Sequence, residues 1–388
     1  MRSRTPIPLL ALLLWVPALA GSARFIDATN ILQLDCVRLL EEGDRTLAVS
    51  LRYDGTSFNL VSSNDLETDS NCAVTFSNQT SLLSAEVRVQ DDVYQLELKY
   101  EGDLRFSVHS VQHLGVGESL LWKVTNGTNE VVIGGTIHIL KESDFPLPTL
   151  YTDAFNTVDV LVTEISNAEY NNTLSVLPLF SNPPGSPPLS QTLSPETYGD
   201  LSLYLLDLGF PIAAYENFLP VWVAQEIVRL AQLELDYGDG VDIHFINQAL
   251  SQGIPSWGLE TLLDQVLAVN QTNQHLTAEE LISDTLAAVQ SGELGSDTRK
   301  LVNAWREADT QELTELVIDT AKEESLTDYD LIFTDRNMKW VPQIESYLLT
   351  PEIEMVLVGA GHLVGPESIL IMLEALGLEV TKFRPTEN

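Results

Sequence analysis

Two stretches with the same ending decide the fold: Val131–His138, VVIGGTIH, and Glu354–His362, EMVLVGAGH. Each begins as a short apolar run rich in β-branched residues, which is typical of a strand buried on both faces. Each then breaks at glycine and ends G-x-x-H. A strand end needs glycine for a tight turn but has no need of imidazole. Either histidine alone fits a solvated loop residue, but the repeated pattern predicts that His138 and His362 meet at the carboxyl edge of one sheet, if the two strands lie close together.

Two further strand-like runs end in a carboxylate. DVLVTE ends at Glu164 and PSWGLE ends at Glu260, while Arg336 and Asn337 begin a predicted amphipathic helix. Two imidazoles with one or two carboxylates suit a borderline divalent ion such as Zn²⁺, Mn²⁺ or Co²⁺. Such an ion can turn bound water into a nucleophile, with a carboxylate to take the proton and a guanidinium to stabilise an oxyanion. Taken singly, each glutamate also fits a surface charge, and Arg336 an ordinary ion-pair partner.

The composition narrows the class of protein. The chain has 388 residues, which is enough for one large or two ordinary domains, and a 44% hydrophobic content that predicts a globular core. Its formal net charge of −36 argues against nucleic acid and anionic membranes as partners. The excess of carboxylates fits either a solvated surface or an affinity for cations.

Residues 1–20 read as a signal peptide, with a basic start, an apolar run and the small-residue ending Ala-Leu-Ala. A signal anchor is the alternative, but three prolines interrupt the run. No later segment approaches the length of a membrane span, and the C-terminus has no apolar tail, so we expect a soluble mature protein that is secreted or periplasmic. Sequons would carry glycans if the host glycosylates secreted proteins, and they begin at Asn78, Asn126, Asn171 and Asn270.

Residues 21–115 differ in texture from the rest. Alternating segments such as RTLAVSLRY and YQLELKY lie between turn residues, which predicts a small β-rich N-terminal domain. Cys36 and Cys72, the chain's two cysteines, are predicted to form a disulfide in an oxidising compartment. His109 and His113 have the spacing of a helical metal pair, but they lie in a strand-like stretch, which disfavours that role.

The pattern over 116–388 predicts an α/β domain with a mixed sheet and flanking helices. LLWKV leads through Asn-Gly into VVIGGTIH as a hairpin, and the chain closes with a strand, a helix and a strand. Pro178–Pro195 is too rich in proline for a helix or a central strand and is predicted to be a loop or lid. A helical insertion follows at about 195–325, with an N-cap at Ser194 and a capping box that starts at Thr277.

A dinucleotide-binding loop is an alternative interpretation of the second GxxH stretch, and three features argue against it. Gly359–Gly365 follows a strand, opens a helix and precedes Glu379 on the next strand. Its spacing is G-x-G-x-x-x-G, it comes last in the chain, and it gives no role to His138. No G-x-S-x-G, H-E-x-x-H or Walker pattern occurs.

The motifs carry a resemblance when taken in order. GGTIH, DVLVTEIS, GVDIHFINQALSQGIPSWGLET, DRNMKWVPQI and VLVGAGHLVGPESIL together resemble the TraB/PrgY/GumN family, to which the TIKI secreted proteases belong. The resemblance runs from about Leu120 to Phe383 and does not cover 21–115. It implies an α/β fold related to erythromycin esterases and the ChaN haem-binding proteins. It also implies a metal-dependent protease that favours Mn²⁺ or Co²⁺.

The family's functional positions match residues of this chain. Its pair of GxxH motifs matches Gly135–His138 and Gly359–His362, its acidic residue after the second strand matches Glu164, and its GLE glutamate matches Glu260. Its RN pair matches Arg336–Asn337. TIKI proteins usually carry a C-terminal membrane anchor, which is absent here, so the substrate need not be a TIKI substrate. Many GumN-like members have no established substrate.

The leading hypothesis is a secreted metal-dependent hydrolase, most simply a peptidase acting on a peptide or protein. His138, His362 and Glu164 would bind the metal, with Glu164 and Glu260 dividing the roles of further ligand and general base. Arg336 would stabilise the oxyanion, and Asn337 would have a positioning role. An esterase with a non-peptide substrate is the nearest variant. A haem- or metal-binding protein of the ChaN type, and a degenerate domain beside an N-terminal partner-binding module, are the alternatives from other classes.

Overall fold

The computed structural model describes residues 119–170 and 175–384 in full, and within 23–116 the backbone of the strands. The chain divides into two compact units, one made largely of residues 17–119 and the other largely of 120–388. The predicted signal peptide lies outside the described residues. Within the described residues, no helix is both long and apolar enough to cross a membrane.

The strands of the first unit form one sheet in the order β1-β2-β3-β4-β8-β7-β6-β5, and extra pairings of β1 with β6 and β2 with β5 join its two halves. They are β1 Ala23–Ile26, β2 Ile31–Leu39, β3 Arg45–Tyr53, β4 Ser57–Leu66, β5 Val74–Ser77, β6 Leu82–Val89, β7 Asp92–Gly102 and β8 Arg105–Val116. His109 and His113 lie on β8, as their alternating context predicts. The predicted disulfide lies outside the described residues, because Cys72 is not among them and Cys36 is described only by its backbone.

The second unit is built on a six-stranded mixed sheet in the order β14-β12-β15-β10-β9-β16, with a separate antiparallel pair of β11 and β13. Its strands are β9 Leu121–Thr125, β10 Glu130–Thr136, β11 Ile139–Lys141, β12 Val160–Ile165, β13 Tyr237–Asp239, β14 Ser256–Glu260, β15 Glu354–Gly359 and β16 Glu379–Lys382. Strands β14, β12, β15 and β10 run parallel, and β9 runs antiparallel to both of its neighbours. The predicted α/β class with a mixed sheet is confirmed.

The apolar runs occupy the centre of this sheet. Every residue of β12 and β15 is buried, as the continuous apolar pattern predicts. The predicted hairpin joins β9 to β10, and Gly127 adopts the left-handed φ of +87° in its turn. Strands β10 and β15 are neighbours, with Thr136 opposite Gly359. The prediction that the two GxxH strands lie close in one sheet is therefore confirmed.

Helices cover the sheet and fill most of the segment between β12 and β15. They are α1 Thr149–Phe155, α2 Asn167–Tyr170, α3 Leu189–Thr192, α4 Pro195–Asp207, α5 Pro220–Glu234, α6 Val241–Gln252, α7 Leu262–Val269, α8 Ala278–Gln290, α9 Glu293–Glu307, α10 Thr310–Leu313, α11 Thr320–Glu324, α12 Leu326–Tyr329, α13 Asp335–Tyr347 and α14 Ile369–Ala375. The two predicted starts are confirmed: the Ser194 side chain accepts from the backbone of Thr197 and caps α4, and a reciprocal capping box at Thr277 begins α8.

Two predictions of local structure need correction. Pro178–Pro195 is not purely a loop, because a 3₁₀ turn at Leu177–Phe180 and helix α3 lie at its ends. Proline is tolerated there because it stands at a helix start, where its missing N–H would have no partner inside the helix. The insertion at about 195–325 is largely helical and contains the predicted PSWGLE run as β14, but it also contains β13, which was not predicted. Strand β13, with the sequence YGD, was missed because its composition is that of a turn.

Candidate functional site

The strand ends of the second unit converge on Gly359, the last residue of β15. A Cβ built on this glycine would lie 3.3 Å from Glu164 Oε1 and 3.4 Å from His138 Nε2. The same point is 3.7 Å from His362 Cδ2. The backbone N–H of Gly359 also donates to Glu164 Oε1 at 2.7 Å. The position is glycine because side chains from three neighbouring strand ends occupy the space that a larger residue would need.

Arg336 connects four partners at the centre of this cluster. Its Nη2 donates to Glu164 Oε2 at 2.6 Å and to Glu260 Oε1 at 2.7 Å, and its Nε donates to Glu260 Oε2 at 3.2 Å. Its Nη1 donates to the carbonyl oxygen of Ile332 at 3.2 Å and lies 3.3 Å from His362 Nε2. These contacts use all five N–H groups of a guanidinium. The side chain is buried, and its positive charge is compensated by these carboxylate partners.

Asn337 fixes the tautomer of His362. The amide nitrogen of Asn337 donates to the carbonyl oxygen of Glu367 at 2.8 Å, which turns its oxygen towards His362 Nδ1, 2.7 Å away. The Nδ1 of His362 therefore carries the hydrogen, and Nε2 keeps its lone pair. Burial, followed by the charge of Arg336, lowers the pKa of His362 to about 3. This imidazole is neutral at every physiological pH.

His138 has the opposite charge preference. Its Nδ1 lies 3.2 Å from Oδ1 of Asp242, a buried residue in the first turn of α6. Partial desolvation lowers the pKa of His138, but the carboxylates of Asp242 and Glu164 outweigh it and raise the pKa to about 9. The side chain is 44% exposed, so it is also the member of the cluster most open to water.

The two carboxylates of the cluster are not equivalent. Burial raises the pKa of Glu164, but Arg336 and the two imidazoles hold it well below its usual range. Burial also raises the pKa of Glu260, and there the attraction of Arg336 does not overcome it. Of the two, Glu164 therefore stays ionised more firmly.

A cavity of about 910 Å³ opens beside the cluster and is lined by His138, Glu164, Arg336 and His362. Its volume lies in the upper part of the range of about 300–1,000 Å³ that encloses drug-sized ligands. Tyr170 also lines it, and burial together with the charges of Asp242 and Glu164 raises the pKa of this phenol.

Five of the six residues predicted for the site are joined by hydrogen bonds or ion pairs, and His138 lies beside them at the Gly359 strand end. Only four of the six line the cavity. Glu260 reaches the cluster through Arg336, and Asn337 reaches it through His362. Sequence reasoning missed Asp242 and Tyr170. Asp242 stands in the quoted stretch GVDIHFINQ, as an acid in the first turn of a helix, but the search for strand ends passed over it.

The donor set partly fits a divalent metal ion. His138 Nε2 and Glu164 Oε1 lie close to the same point, and His362 Nε2 is 3.8 Å from Glu164 Oε1. The Nδ1 atoms of both histidines are held by oxygens of Asp242 and Asn337, as the outer ring nitrogens of metal-bound histidines usually are. In the present arrangement the guanidinium of Arg336 stands among these donors. Among the residues that the structure describes, no three His, Cys, Asp or Glu side chains are already placed to hold an ion. Metal binding therefore requires the Arg336 guanidinium to move away from His362 Nε2.

Comparison with known proteins supplies the family. A family model described as TraB/PrgY/gumN matches residues 120–382, which is more than half of the chain and includes every residue of the cluster. No curated protein and no solved structure matches the chain. On the family model, the chain belongs to the TraB/PrgY/gumN family.

Proposed function

We propose that this chain is a metal-dependent hydrolase, most simply a peptidase, which acts outside the cytoplasm on a peptide or protein. One observation carries the proposal. Two imidazole rings and a firmly ionised carboxylate converge on one strand end beside a large cavity. The predicted signal peptide supports the location, and the donor types support a Zn²⁺, Mn²⁺ or Co²⁺ ion held by His138, Glu164 and His362.

In this proposal a bound ion would supply a water of lowered pKa. Peptide hydrolysis then forms a bond from the water oxygen to the carbonyl carbon and breaks the C–N bond, and the leaving nitrogen takes up a proton. As a ligand of that ion, His138 would be neutral and could not give this proton, which would come from the water itself. In the metal-free chain His138 is protonated at neutral pH and faces the cavity, so there it is the group suited to giving a proton to the leaving nitrogen. Asp242 holds the ring in place while it does so.

Arg336 and Glu260 take more restricted roles than their residue types suggest. Every N–H of Arg336 is already engaged, so it can stabilise an oxyanion only by releasing a partner. The contact with His362 Nε2 is the longest of the five, and its release would free both a donor and a metal-ligand nitrogen. Both oxygens of Glu260 accept from Arg336, so we assign Glu260 to positioning the guanidinium and not to proton transfer.

The His138–Asp242 pair favours a second version of the function. A histidine oriented by a buried carboxylate is a general acid–base group by itself. A hydrolase of this kind would need no ion, and its substrate could be an ester as well as a peptide. Activity with and without a chelator separates the two versions.

The test uses the purified mature protein and a peptide library, with and without Mn²⁺, Co²⁺ or Zn²⁺. We expect wild type to bind an ion and cleave, and we expect His138→Ala and His362→Ala to lose both properties while remaining folded. His244→Ala is the matched control, because His244 lies on the same helix as Asp242 but does not line the cavity. Ion binding that survives in both site variants would contradict the shared metal site. A strong Soret band in the purified protein would indicate a haem-binding protein instead.

A further inference from the structure

The cavity beside the cluster has a second region that the proposed chemistry does not use. We call it the apolar arm, and it is lined by Phe180, Tyr215, Phe218, Trp222, Val266 and Val269. Phe180 and Trp222 pack with ring centroids 4.3 Å apart. The indole N–H of Trp222 donates to Asn270, which in turn donates to the carbonyl oxygen of Leu179. These bonds satisfy the polar edge of the indole, so it presents an apolar surface that is fixed in place.

The charged groups near the arm neutralise one another. Glu226 and Arg229 on α5 form a two-point ion pair with N–O distances of 2.7 and 2.8 Å, and the Tyr215 hydroxyl donates to Glu226 at 3.0 Å. A charged ligand group entering the arm would find no opposite charge without breaking this pair. Because burying an unpaired charge is costly, the arm favours an uncharged occupant.

Two side-chain amides also line the cavity, and both belong to α5. They are Gln225 and Gln232, and the second is 7% exposed. Within the part of the chain that the structure describes, neither amide group has a hydrogen-bond partner. A primary amide offers one acceptor and two N–H donors, which complement the C=O and N–H of a peptide bond. A saturated acyl chain would leave both amides unsatisfied.

We infer that the apolar arm binds a short run of large, uncharged apolar residues next to the bond to be cleaved. Gln225 and Gln232 hydrogen-bond the backbone of that run. The inference deepens the proposed peptidase and depends on it for the cleavage, but binding at the arm does not require the chemistry. The cavity has room for several side chains, since pockets of about 300–1,000 Å³ enclose drug-sized ligands.

The test measures binding to the full chain, by calorimetry, of N-acetyl-Leu-Phe-Leu amide, its Glu-Glu-Glu counterpart and decanoate. We expect the apolar peptide to bind at least about tenfold more tightly than the acidic one. Val266→Trp, which fills the arm, should weaken the apolar peptide by about tenfold or more. Leu250→Trp is the matched control, because this residue is exposed and lies outside the cavity. Ala268→Trp, on the same helix and also in the lining, repeats the test if Val266→Trp fails to fold.

Two results would overturn the inference: equal binding of the apolar and acidic peptides, or tighter binding of decanoate than of the apolar peptide. Gln232→Leu should weaken the peptide and leave decanoate unchanged, and the opposite pattern would contradict the role of the amides. The measurement is repeated in His138→Ala. Undiminished apolar binding there, with no cleavage by wild type, would separate a failed hydrolase from a correct subsite.

Discussion

Two buried glutamates on neighbouring strands show what makes this site unusual within its own sheet. Glu164, near the carboxyl end of β12, has its pKa held far below the usual range, because Arg336 and two imidazoles outweigh burial. Glu354, at the amino end of β15, is 1% exposed, and within the described residues its Oε2 has no hydrogen-bond partner. Burial there raises the pKa to about 7. Removal from water is common to both, so the presence or absence of a cation decides which carboxylate stays ionised.

The largest effect is expected from removing the Arg336 cation, which distinguishes Glu164 from Glu354. Arg336→Met leaves Glu164 and Glu260 buried without their partner, and we expect a loss of about 3–5 kcal/mol in the free energy of unfolding at neutral pH. The control is Arg229→Met, which removes an exposed ion pair with Glu226 and should cost at most about 1 kcal/mol. Urea unfolding measures both. Equal losses in the two variants would mean that burial of the Arg336 pair carries no special cost.

Neutralising the other glutamate should have the opposite sign. The pKa of Glu354 is about 7 in the folded chain and 4.5 ordinarily, so the folded state binds the proton more tightly. Wild type therefore pays no penalty below the ordinary pKa and loses stability as the pH rises from there through 7. The loss is about 3 kcal/mol at full ionisation.

Glu354→Gln removes this titration. As the pH rises from about 4 to about 8, we expect the free energy of unfolding of the variant to increase by about 3 kcal/mol relative to that of wild type. Urea unfolding at both pH values gives the free energy of unfolding of each protein, and the difference between variant and wild type is then compared between the two pH values. A pH-independent difference would show that Glu354 finds a partner in solution.

Asn337→Leu tests whether a buried neighbour also determines the protonation of an imidazole, here the tautomer of His362. It removes the acceptor that fixes the His362 Nδ1–H and leaves that donor and the carbonyl of Glu367 unpaired, at a cost of about 1–3 kcal/mol. The ¹⁵N shifts of His362 should change from the pure Nδ1–H tautomer of wild type to a mixture. An unchanged tautomer would show that Arg336, not Asn337, orients the ring.

The smallest effect is a shift in one titration. By NMR, His138 should titrate near 9 and His362 should remain neutral down to about 3. Because the pKa of His138 is raised, its contribution to stability is complete below the ordinary value of 6.5 and disappears as the pH rises through 9. Asp242→Asn should lower the pKa of His138 by about one unit or more, since it removes the adjacent charge. An unmoved titration would assign the raised pKa to Glu164.

The sequence predicted the parts of the site that follow directly from strand geometry. His138, Glu164, Glu260 and His362 each lie at or just past the carboxyl end of a strand, and parallel strands bring these ends to one edge. Asp242 could not be found in this way, because it starts a helix and reaches His138 across 104 residues of sequence. The roles of Arg336 and Glu260 were also out of reach. An arginine in the sequence suggests available N–H donors. Only the distances in the structure show that all five N–H groups of Arg336 already have partners.

The pairing of β10 with β15 has a consequence for biosynthesis. His138 leaves the ribosome 224 residues before His362, the difference between 362 and 138, and the two become neighbours only when the last parallel strand inserts between β10 and β12. A nascent chain therefore has no complete cluster while most of its length is being synthesised. The cell that synthesises the chain is therefore not exposed to any activity of the complete cluster until translation is nearly finished. No separate inhibitory segment is needed during that interval.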